Sequence, residues 1–181
     1  MKNLPNILTL SRVILLPLLL FMILSSNFQL NMYSVVLFIA ISFTDFLDGF
    51  IARNQGSTSD FGKMLDPIAD KLLVAAVILI LTSKEIIADW ETIPALIILL
   101  REIAVSGLRE YLAKIKVSVP VSRISKIKTS LQLIALAFLI LSESGITTIP
   151  ILSIGKMALW IAGILTLYTG YDYLKSGLKH F

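Results

Sequence analysis

The sequence predicts an all-α integral membrane protein with six transmembrane helices and a short N-terminal interfacial segment. Of its 181 residues, 56% are hydrophobic, and the mean hydropathy is +0.87. Such values are typical of a chain that lies mostly in lipid. Long apolar stretches follow one another, and no polar segment between them is long enough for a separate soluble domain. We therefore predict a single membrane domain over residues 1–181.

The first apolar stretch follows a positively charged start. Met1–Arg12 is mildly amphipathic and carries Lys2, so it is predicted to lie at the membrane surface. A signal peptide would begin in the same way, but no small-residue cleavage site follows, and we expect an uncleaved first helix. Its span is Val13–Leu24, in which Pro17 is expected to produce a kink.

Five more spans are predicted from the alternation of apolar runs with polar connections. They are Tyr33–Arg53, Met64–Ser83, a fourth from Ile93 that continues as a charged helix through Tyr111, Thr129–Leu141, and Ile151–Leu174. Asn27–Met32 is predicted to be an uncharged turn. Six spans return the chain to the side on which it begins. Of the 16 Lys and Arg residues, only Lys84 and Lys156 are predicted on the other side, so both termini should face the cytoplasm.

Four aspartates interrupt the second and third predicted spans. Asp45 and Asp48 are three residues apart, and Asp66 and Asp70 are four apart, so each pair shares one face of its helix. A helix rises about 1.5 Å per residue, which puts both pairs at similar depth in the cytoplasmic half of a hydrocarbon core about 30 Å thick. The connection between these spans is short. We therefore predict antiparallel neighbouring helices whose carboxylates converge.

Four converging carboxylates require cations. One ionised Asp near the bilayer centre costs about 2.5–3.5 kcal/mol, and Arg53 and Lys71 are too few to neutralise four. Carboxylate oxygens suit Mg²⁺ or Mn²⁺, and two such ions a few ångströms apart are the usual arrangement for displacement at phosphorus. The alternative is a set of helix-capping, ion-paired aspartates. Capping is less favoured because it needs one acid per helix end, not two per helix face.

Small and basic residues beside the aspartates allow two interpretations each. Gly49 and Ala52 are suited to close helix packing, but in this position they would also clear space for a ligand. Arg53 is either an ordinary anchor at the membrane surface or a clamp for a diphosphate. The three hydroxyl residues at 57–59 are either loop filler or hydrogen-bond donors to a nucleotide.

A second group of candidate residues is basic, and it consists of Arg101, Arg109, Lys126 and Lys128. Arg101 and Arg109 are eight residues apart, so a helix presents them on one side. The simpler interpretation is that these residues are surface charges that follow the positive-inside rule, and we accept it for Lys114 and Lys116. Arg101, however, directly follows an apolar run and could face a cavity. A basic pocket beside a metal site would suit a second, phosphorylated substrate.

The spacing of these residues resembles the signature of the CDP-alcohol phosphotransferase family. The matching pattern is Asp45-x2-Asp48-Gly49-x2-Ala52-Arg53-x8-Gly62-x3-Asp66-x3-Asp70. Three further segments resemble the phosphatidylglycerol-making branch of this family. They are Pro5-Asn6-x2-Thr9-x2-Arg12, Arg101-Glu102-x6-Arg109-Glu110 and Lys126-x-Lys128-Thr129. One departure is Ser125, where glycine is expected. The likeness covers most of the chain.

The resemblance implies an enzyme that joins CDP-diacylglycerol to glycerol 3-phosphate, giving phosphatidylglycerol phosphate and CMP. Asp45 and Asp66 would bridge two Mg²⁺ or Mn²⁺ ions, Asp48 would hold one ion, and Asp70 would hold the other and act as base. Residues matching positions that contact the CDP part, or that neighbour them in the signature, are Asn6, Thr9, Gly49, Ala52, Arg53, Ser59 and Gly62. Arg101, Arg109, Lys126 and Lys128 would hold the acceptor's phosphate. The family is typically homodimeric.

Two alternatives stay open. The same chemistry could use another acceptor, such as phosphatidylglycerol, serine or an inositol phosphate. An ion-coupled transporter would also place carboxylates in membrane helices, but the sequence has no internal repeat and its acids cluster at one face. The expected partners are CDP-diacylglycerol, glycerol 3-phosphate, membrane lipid and a second copy of the chain, with no nucleic acid. The expected location is a bacterial-type cell membrane, with the active site facing the cytoplasm.

Overall fold

Six α-helices account for most of the residues that the computed structural model describes, which are 4–25, 27–55, 60–117, 123–145 and 150–178. Within these ranges the side chains of residues 4–9, 45–55, 60–64, 66, 67, 123 and 178 are left out of the description. The helices are α1 (Leu4–Leu24), α2 (Phe28–Gln55), α3 (Asp60–Ser83), α4 (Thr92–Lys114), α5 (Arg123–Ser142) and α6 (Ile151–Leu178). A 3₁₀ turn, Asp89–Glu91, precedes α4. The described residues contain no strand, and the all-α prediction is confirmed.

Two helices are long and apolar enough to cross a membrane, judged over the described residues. They are α5 over Ile124–Ser142 and α6 over Ile151–Gly177. Shorter apolar runs occupy Leu10–Leu24 of α1 and Phe28–Thr44 of α2. Large apolar side chains are also exposed on the outer faces of the helices, among them Phe21, Val36, Leu79, Ile103 and Ile164. An apolar outer surface of this extent is suited to contact with lipid. Six spans remain a prediction.

The second helix begins earlier than the sequence predicted. Asn27–Met32 is not a turn, because α2 starts at Phe28. The Asn27 side-chain Oδ1 accepts a hydrogen bond from the Gln29 amide at 2.9 Å. The Asn27 carbonyl accepts one from the Asn31 amide at 3.0 Å. Asn27 is therefore the N-cap of α2, a position at which Asn is favoured. A helix boundary predicted from the end of an apolar run does not detect such a cap.

Two further boundaries also differ from the prediction. The fifth helix begins at Arg123, six residues before the predicted span starts at Thr129, so the basic residues before Thr129 lie on its first turns. The first helix runs without interruption from Leu4 to Leu24 and includes Pro17. The predicted N-terminal surface segment is therefore continuous with the first span from Leu4 onward. In both places polar residues extend a helix beyond the apolar run from which its ends were predicted.

The core forms where α6 packs against α5 and α4. The contact between α5 and α6 is the most extensive, followed by that between α4 and α6. On the other side, α1 packs against α2 and α3, and both α2 and α3 contact α5. Leu19, Val77, Leu136 and Leu159, from four different helices, are fully buried in one cluster. Helix association in lipid depends on such close packing, because lipid tails are as apolar as leucine.

Glycines spaced by seven residues on α6 allow α4 to approach closely. Gly163 faces Pro94, Gly170 faces Arg101, and Gly177 faces Leu108. The residue numbers of the facing pairs increase together along both helices, so α4 and α6 run parallel. A Cβ added to Gly163 would lie 2.7 Å from the Pro94 Cβ, a distance that real Cβ atoms do not adopt. Small residues at a helix interface are a common means of close packing in membranes.

The opposite end of the bundle from the aspartates is joined by polar contacts. Lys84, just after α3, donates to the Ile23 carbonyl of α1 at 2.9 Å and forms an ion pair with Glu143, just after α5. The Glu143 carbonyl accepts a hydrogen bond from the Asn31 side chain of α2 at 3.1 Å. Four helices are thus tied together at this end.

Two glycines with open surroundings give a matched test of the backbone. Gly145 has φ of +64°, and an added Cβ would meet no atom within 4 Å. Gly145→Ala should lower the free energy of unfolding by about 1 kcal/mol, because a left-handed residue with a Cβ costs about 1–2 kcal/mol and the lost unfolded-state entropy offsets part of this.

Gly107 is the control, because its added Cβ would also meet nothing within 4 Å while its backbone is α-helical. Gly107→Ala should raise the free energy of unfolding by about 0.5–1 kcal/mol through helix propensity. Both variants are measured by equilibrium unfolding in mixed detergent micelles. A shift of both in the same direction would contradict the assigned backbone conformations.

Candidate active site

The four predicted metal ligands lie on helical backbone. Asp45 and Asp48 belong to α2, and Asp66 and Asp70 belong to α3, so each pair shares a helix face. Asp70 is half-buried. The side chains of the other three lie outside the described ones, and the convergence of the carboxylates stays a prediction. The described residues contain no group of three or more acidic, His or Cys side chains able to hold a metal ion.

The donor set nevertheless suits a hard divalent cation on chemical grounds. It consists of carboxylates alone, the chain has no cysteine, and its single histidine is at position 180. Oxygen-only ligands favour Mg²⁺ or Mn²⁺ over softer metals. The predicted CDP-contacting residues Asn6, Thr9, Gly49, Ala52, Arg53 and Gly62 also have helical backbone, in α1, α2 and α3. Their surroundings, and the whole of Ser59, lie outside what the structure describes.

Three helices meet around the ammonium group of Lys128. This α5 side chain is only 2% exposed, and its Nζ donates to Glu102 Oε1 on α4. Arg101 Nη1 donates to the same carboxylate oxygen at 3.3 Å. Lys128 also lies close enough to Asp70 on α3 for their charges to interact. The structure thus connects the predicted basic group with the aspartate-bearing helix, which the sequence could only suggest.

One donor of this cluster is suited to an anionic ligand. A buried ammonium is costly without a partner, and Glu102 supplies one for Lys128. The same carboxylate also accepts from Arg101, and Asp70 is a second acid within electrostatic range of Lys128. Among the described residues, the buried Arg101 Nε has no hydrogen-bond partner. A phosphate oxygen would satisfy such a donor with a strong, charge-assisted hydrogen bond.

The other two predicted basic residues are not part of the Lys128 cluster. Arg109 is exposed two turns further along α4, and its guanidinium carbon lies 5.7 Å from the centre of the Tyr173 ring on α6. Lys126 is exposed on a different side of α5 from Lys128, because two residues turn a helix through about 200°. The four side chains predicted to form one pocket are therefore divided into an inner pair, a rim residue and a separate lysine.

Lys126 lies at a lateral groove between α2 and α5. The groove has a volume of about 770 Å³ and is predominantly apolar. Its apolar lining includes Phe38, Ile39 and Phe43 of α2 and Leu133, Ala137 and Phe138 of α5. Phe43 precedes Asp45 by two residues on α2, so this end of the groove lies at a similar level along the helix to the predicted metal ligands, whose positions around the helix the groove does not define. Its apolar lining is suited to a hydrocarbon chain.

Three residues of the site were not predicted as contributors. Glu102 occurs in the sequence pattern beside Arg101, but no role was predicted for it. Gly170 and Tyr173 of α6, which contact Arg101 and Arg109, were not singled out. The seven-residue glycine spacing on α6 is visible in the sequence and could have indicated the contact with α4.

Comparison with known proteins gives a consistent result over the full length of the chain. The sequence model for CDP-alcohol phosphatidyltransferases matches residues 2–168. A Rickettsia felis protein named CDP-diacylglycerol–glycerol-3-phosphate 3-phosphatidyltransferase is 48% identical over 180 residues, covering 99% of this chain and 98% of that protein. A Rickettsia typhi protein of the same name is 48% identical over 181 residues, with both chains fully covered. One from Salmonella choleraesuis is 38% identical, covering 96% of this chain and 94% of that protein.

Proposed function

The chain belongs to the CDP-alcohol phosphatidyltransferase family, and we propose that it transfers the phosphatidyl group of CDP-diacylglycerol to glycerol 3-phosphate, with release of CMP. The observation that carries this proposal is the 48% identity, along the entire chain, to relatives named for that reaction. The family transfers phosphatidyl groups from CDP-alcohol donors. An ion-coupled transporter is not supported by any of these relatives, and the other acceptors become competitors for the experiment.

The reaction is a displacement at phosphorus. A hydroxyl oxygen of the acceptor forms a bond to the lipid-side phosphorus of the diphosphate. The bond from that phosphorus to the bridging oxygen breaks, and the bridging oxygen leaves with CMP. The hydroxyl proton passes to a base, for which we propose the half-buried Asp70. Two Mg²⁺ or Mn²⁺ ions held by Asp45, Asp48, Asp66 and Asp70 would neutralise charge on the diphosphate oxygens.

The acceptor's phosphate is proposed to bind at Arg101 and Lys128. Three observations support this assignment: both cations share one carboxylate, Arg101 Nε is a buried donor, and Lys128 is near Asp70. A phosphate held there would leave the acceptor's hydroxyl directed toward the aspartates. Arg109, exposed at the rim, would contact the same anion from outside. An acceptor without a phosphate, such as serine, would leave the Arg101 Nε donor without the anion proposed for it.

The donor lipid is proposed to lie with one acyl chain in the groove between α2 and α5. This groove begins at Phe43, at a similar level along α2 to the predicted metal ligands, and continues along apolar side chains to Leu141. Lys126 lines the groove and not the Lys128 cluster, so we assign it to the donor side of the site. The CDP part would then contact Asn6, Thr9, Gly49, Ala52, Arg53, Ser59 and Gly62, as the resemblance implies.

Location and assembly complete the proposal. We infer a multi-pass protein of a bacterial-type cell membrane with six spans, and with both termini and the active site in the cytoplasm. The support for this orientation is the charge distribution, which leaves Lys84 and Lys156 alone among the Lys and Arg residues at the other side. A homodimer is expected from the resemblance alone, and crosslinking in native membranes would test it.

The first test of the function is a transfer assay with purified protein, CDP-diacylglycerol and a panel of acceptors. CMP release should require glycerol 3-phosphate and a divalent cation, with no release when phosphatidylglycerol, serine or an inositol phosphate replaces it. Asp66→Asn should abolish turnover while the protein stays folded in detergent, because it removes a proposed metal ligand. Asp172→Asn, at an exposed position of α6, is the control. Full turnover in excess chelator would contradict the metal requirement.

The acceptor pocket is tested by Arg109→Ala. A hydrogen bond to a charged group is worth about 1.5–3 kcal/mol, so the KM for glycerol 3-phosphate should rise roughly 10- to 150-fold. The KM for CDP-diacylglycerol should stay unchanged. Lys114→Ala and Lys116→Ala, both at exposed positions near the end of α4, are controls and should have almost no effect. A loss confined to CDP-diacylglycerol binding would show that the acceptor pocket is assigned wrongly.

Orientation is tested with single cysteines at the two ends of α4, since the chain has no cysteine of its own. Thr92 and Ala113 are both exposed, and they are 21 positions apart, which corresponds to about 31 Å of helix, close to the thickness of a hydrocarbon core. In intact cells an impermeant thiol reagent should label Thr92→Cys at once, and Ala113→Cys only after permeabilisation. The reverse pattern would invert the proposed topology.

A further inference from the structure

Helix α6 contributes no residue to the predicted site, yet it contacts both arginines of α4. Gly170 faces Arg101, and Tyr173 lies beneath Arg109. The two α6 residues are three positions apart and therefore share one helix face. Because α4 and α6 run parallel, this face follows the same side of α4 that presents the arginines. The α6 face could thus determine where both guanidinium groups lie.

Gly170 leaves a notch that the stem of Arg101 occupies. A Cβ at position 170 would lie 2.8 Å from Arg101 Cγ, 3.6 Å from its Nε and 3.8 Å from its Cδ. The first distance is too short, so any side chain at position 170 must displace Arg101 from its Cγ outward. That displacement would move Nη1, which donates to Glu102 Oε1, and Nε, which is buried without a partner among the described residues.

Tyr173 provides a rigid surface for Arg109. Its side chain is 9% exposed and packs against Val105 and Leu112 of α4. The Arg109 guanidinium carbon lies 5.7 Å from the ring centre, within the range of a cation–π contact. An exposed arginine otherwise samples many rotamers, and the contact restricts that freedom. Preorganisation of this kind lowers the entropy cost of binding an anion.

We propose that Gly170 and Tyr173 are positioning residues for the acceptor pocket: Gly170 sets the place of Arg101, and Tyr173 sets the place of Arg109. The inference rests on the proposed function, because it assigns a purpose to the α6 face only if the two arginines bind the acceptor's phosphate. Neither residue is proposed to touch substrate. Their effect should therefore appear in the affinity for the acceptor and not in binding of the donor.

The experiment compares Gly170→Ala with Gly163→Ala. Gly163 belongs to the same glycine series, and its added Cβ meets Pro94 Cβ at 2.7 Å and Pro94 Cα at 3.1 Å, so its packing clash is at least as severe. It lies seven residues away, about 10 Å along the helix, on the side away from Arg109. Gly170→Ala should raise the KM for glycerol 3-phosphate about tenfold, part of what a lost charge-assisted hydrogen bond would cost. Gly163→Ala should leave this KM unchanged, although both variants should unfold more easily.

A double-mutant cycle with Arg101→Ala separates positioning from packing. Arg101→Ala alone should raise the KM for glycerol 3-phosphate. Adding Gly170→Ala to it should have no further effect, because no Cγ is left to displace. An equal KM increase from Gly170→Ala in both backgrounds would overturn the inference. If Arg101→Ala leaves the KM unchanged, the proposed acceptor site is wrong and the inference fails with it. If Arg101→Ala raises the KM and folded Gly170→Ala does not, the inference alone fails.

Tyr173 gives a second measurement that does not depend on whether Gly170→Ala folds. Tyr173→Phe keeps the ring and should keep the KM for glycerol 3-phosphate. Tyr173→Leu removes it and should raise that KM about two- to fivefold, the value expected of an exposed cation–π contact. The rise should vanish in an Arg109→Ala background. An unchanged KM in folded Tyr173→Leu would overturn the inference, as would equal losses in the Phe and Leu variants.

Discussion

The buried ammonium of Lys128 is the constraint on which the described part of the site depends. A charge that is 2% exposed needs a compensating group, and Glu102 on α4 provides it. The pair links α4 to α5 through side chains, while α6 packs against both helices. Asp70 on α3 lies within electrostatic range of the same ammonium. The Lys128–Glu102 pair therefore joins α4 to α5, and it does so near the Asp70 position of α3.

The two ends of the bundle use charge differently. At the end opposite the aspartates, Lys84 forms an ion pair with Glu143 and donates a hydrogen bond to the Ile23 carbonyl. These contacts neutralise its charge and join helices. In the Lys128 cluster, one carboxylate accepts from two cations, and the buried Nε of Arg101 has no hydrogen-bond partner among the described residues. That donor is the difference between the two ends on which the proposed anion site depends.

Sequence reasoning predicted the helical class, the faces shared by the aspartates and the basic character of the second group. It failed where the prediction depended on which side of a helix a residue occupies. The fifth span was predicted only from Thr129, which left Lys126 and Lys128 outside it. Helix geometry puts the two lysines on different sides of α5 once the start at Arg123 is known. The N-cap at Asn27 was missed for a related reason, because an apolar run gives no information about the polar residue that caps a helix. Tertiary partners such as Glu102 for Lys128, 26 positions apart, have no local signal at all.

Selectivity among acceptors follows from how the positive charge is arranged. The donor's diphosphate would be neutralised by metal ions at the aspartates, which any acceptor of this chemistry could use. Discrimination must therefore come from the part of the site that the donor does not occupy. There the chain holds Arg101 against the notch of Gly170 and Arg109 against Tyr173, each preorganised before a ligand arrives. A phosphate-bearing acceptor gains from both fixed donors. A neutral alcohol would gain from neither, so under the proposed function the packing of α6 on α4 would contribute to substrate choice without any contact to the substrate.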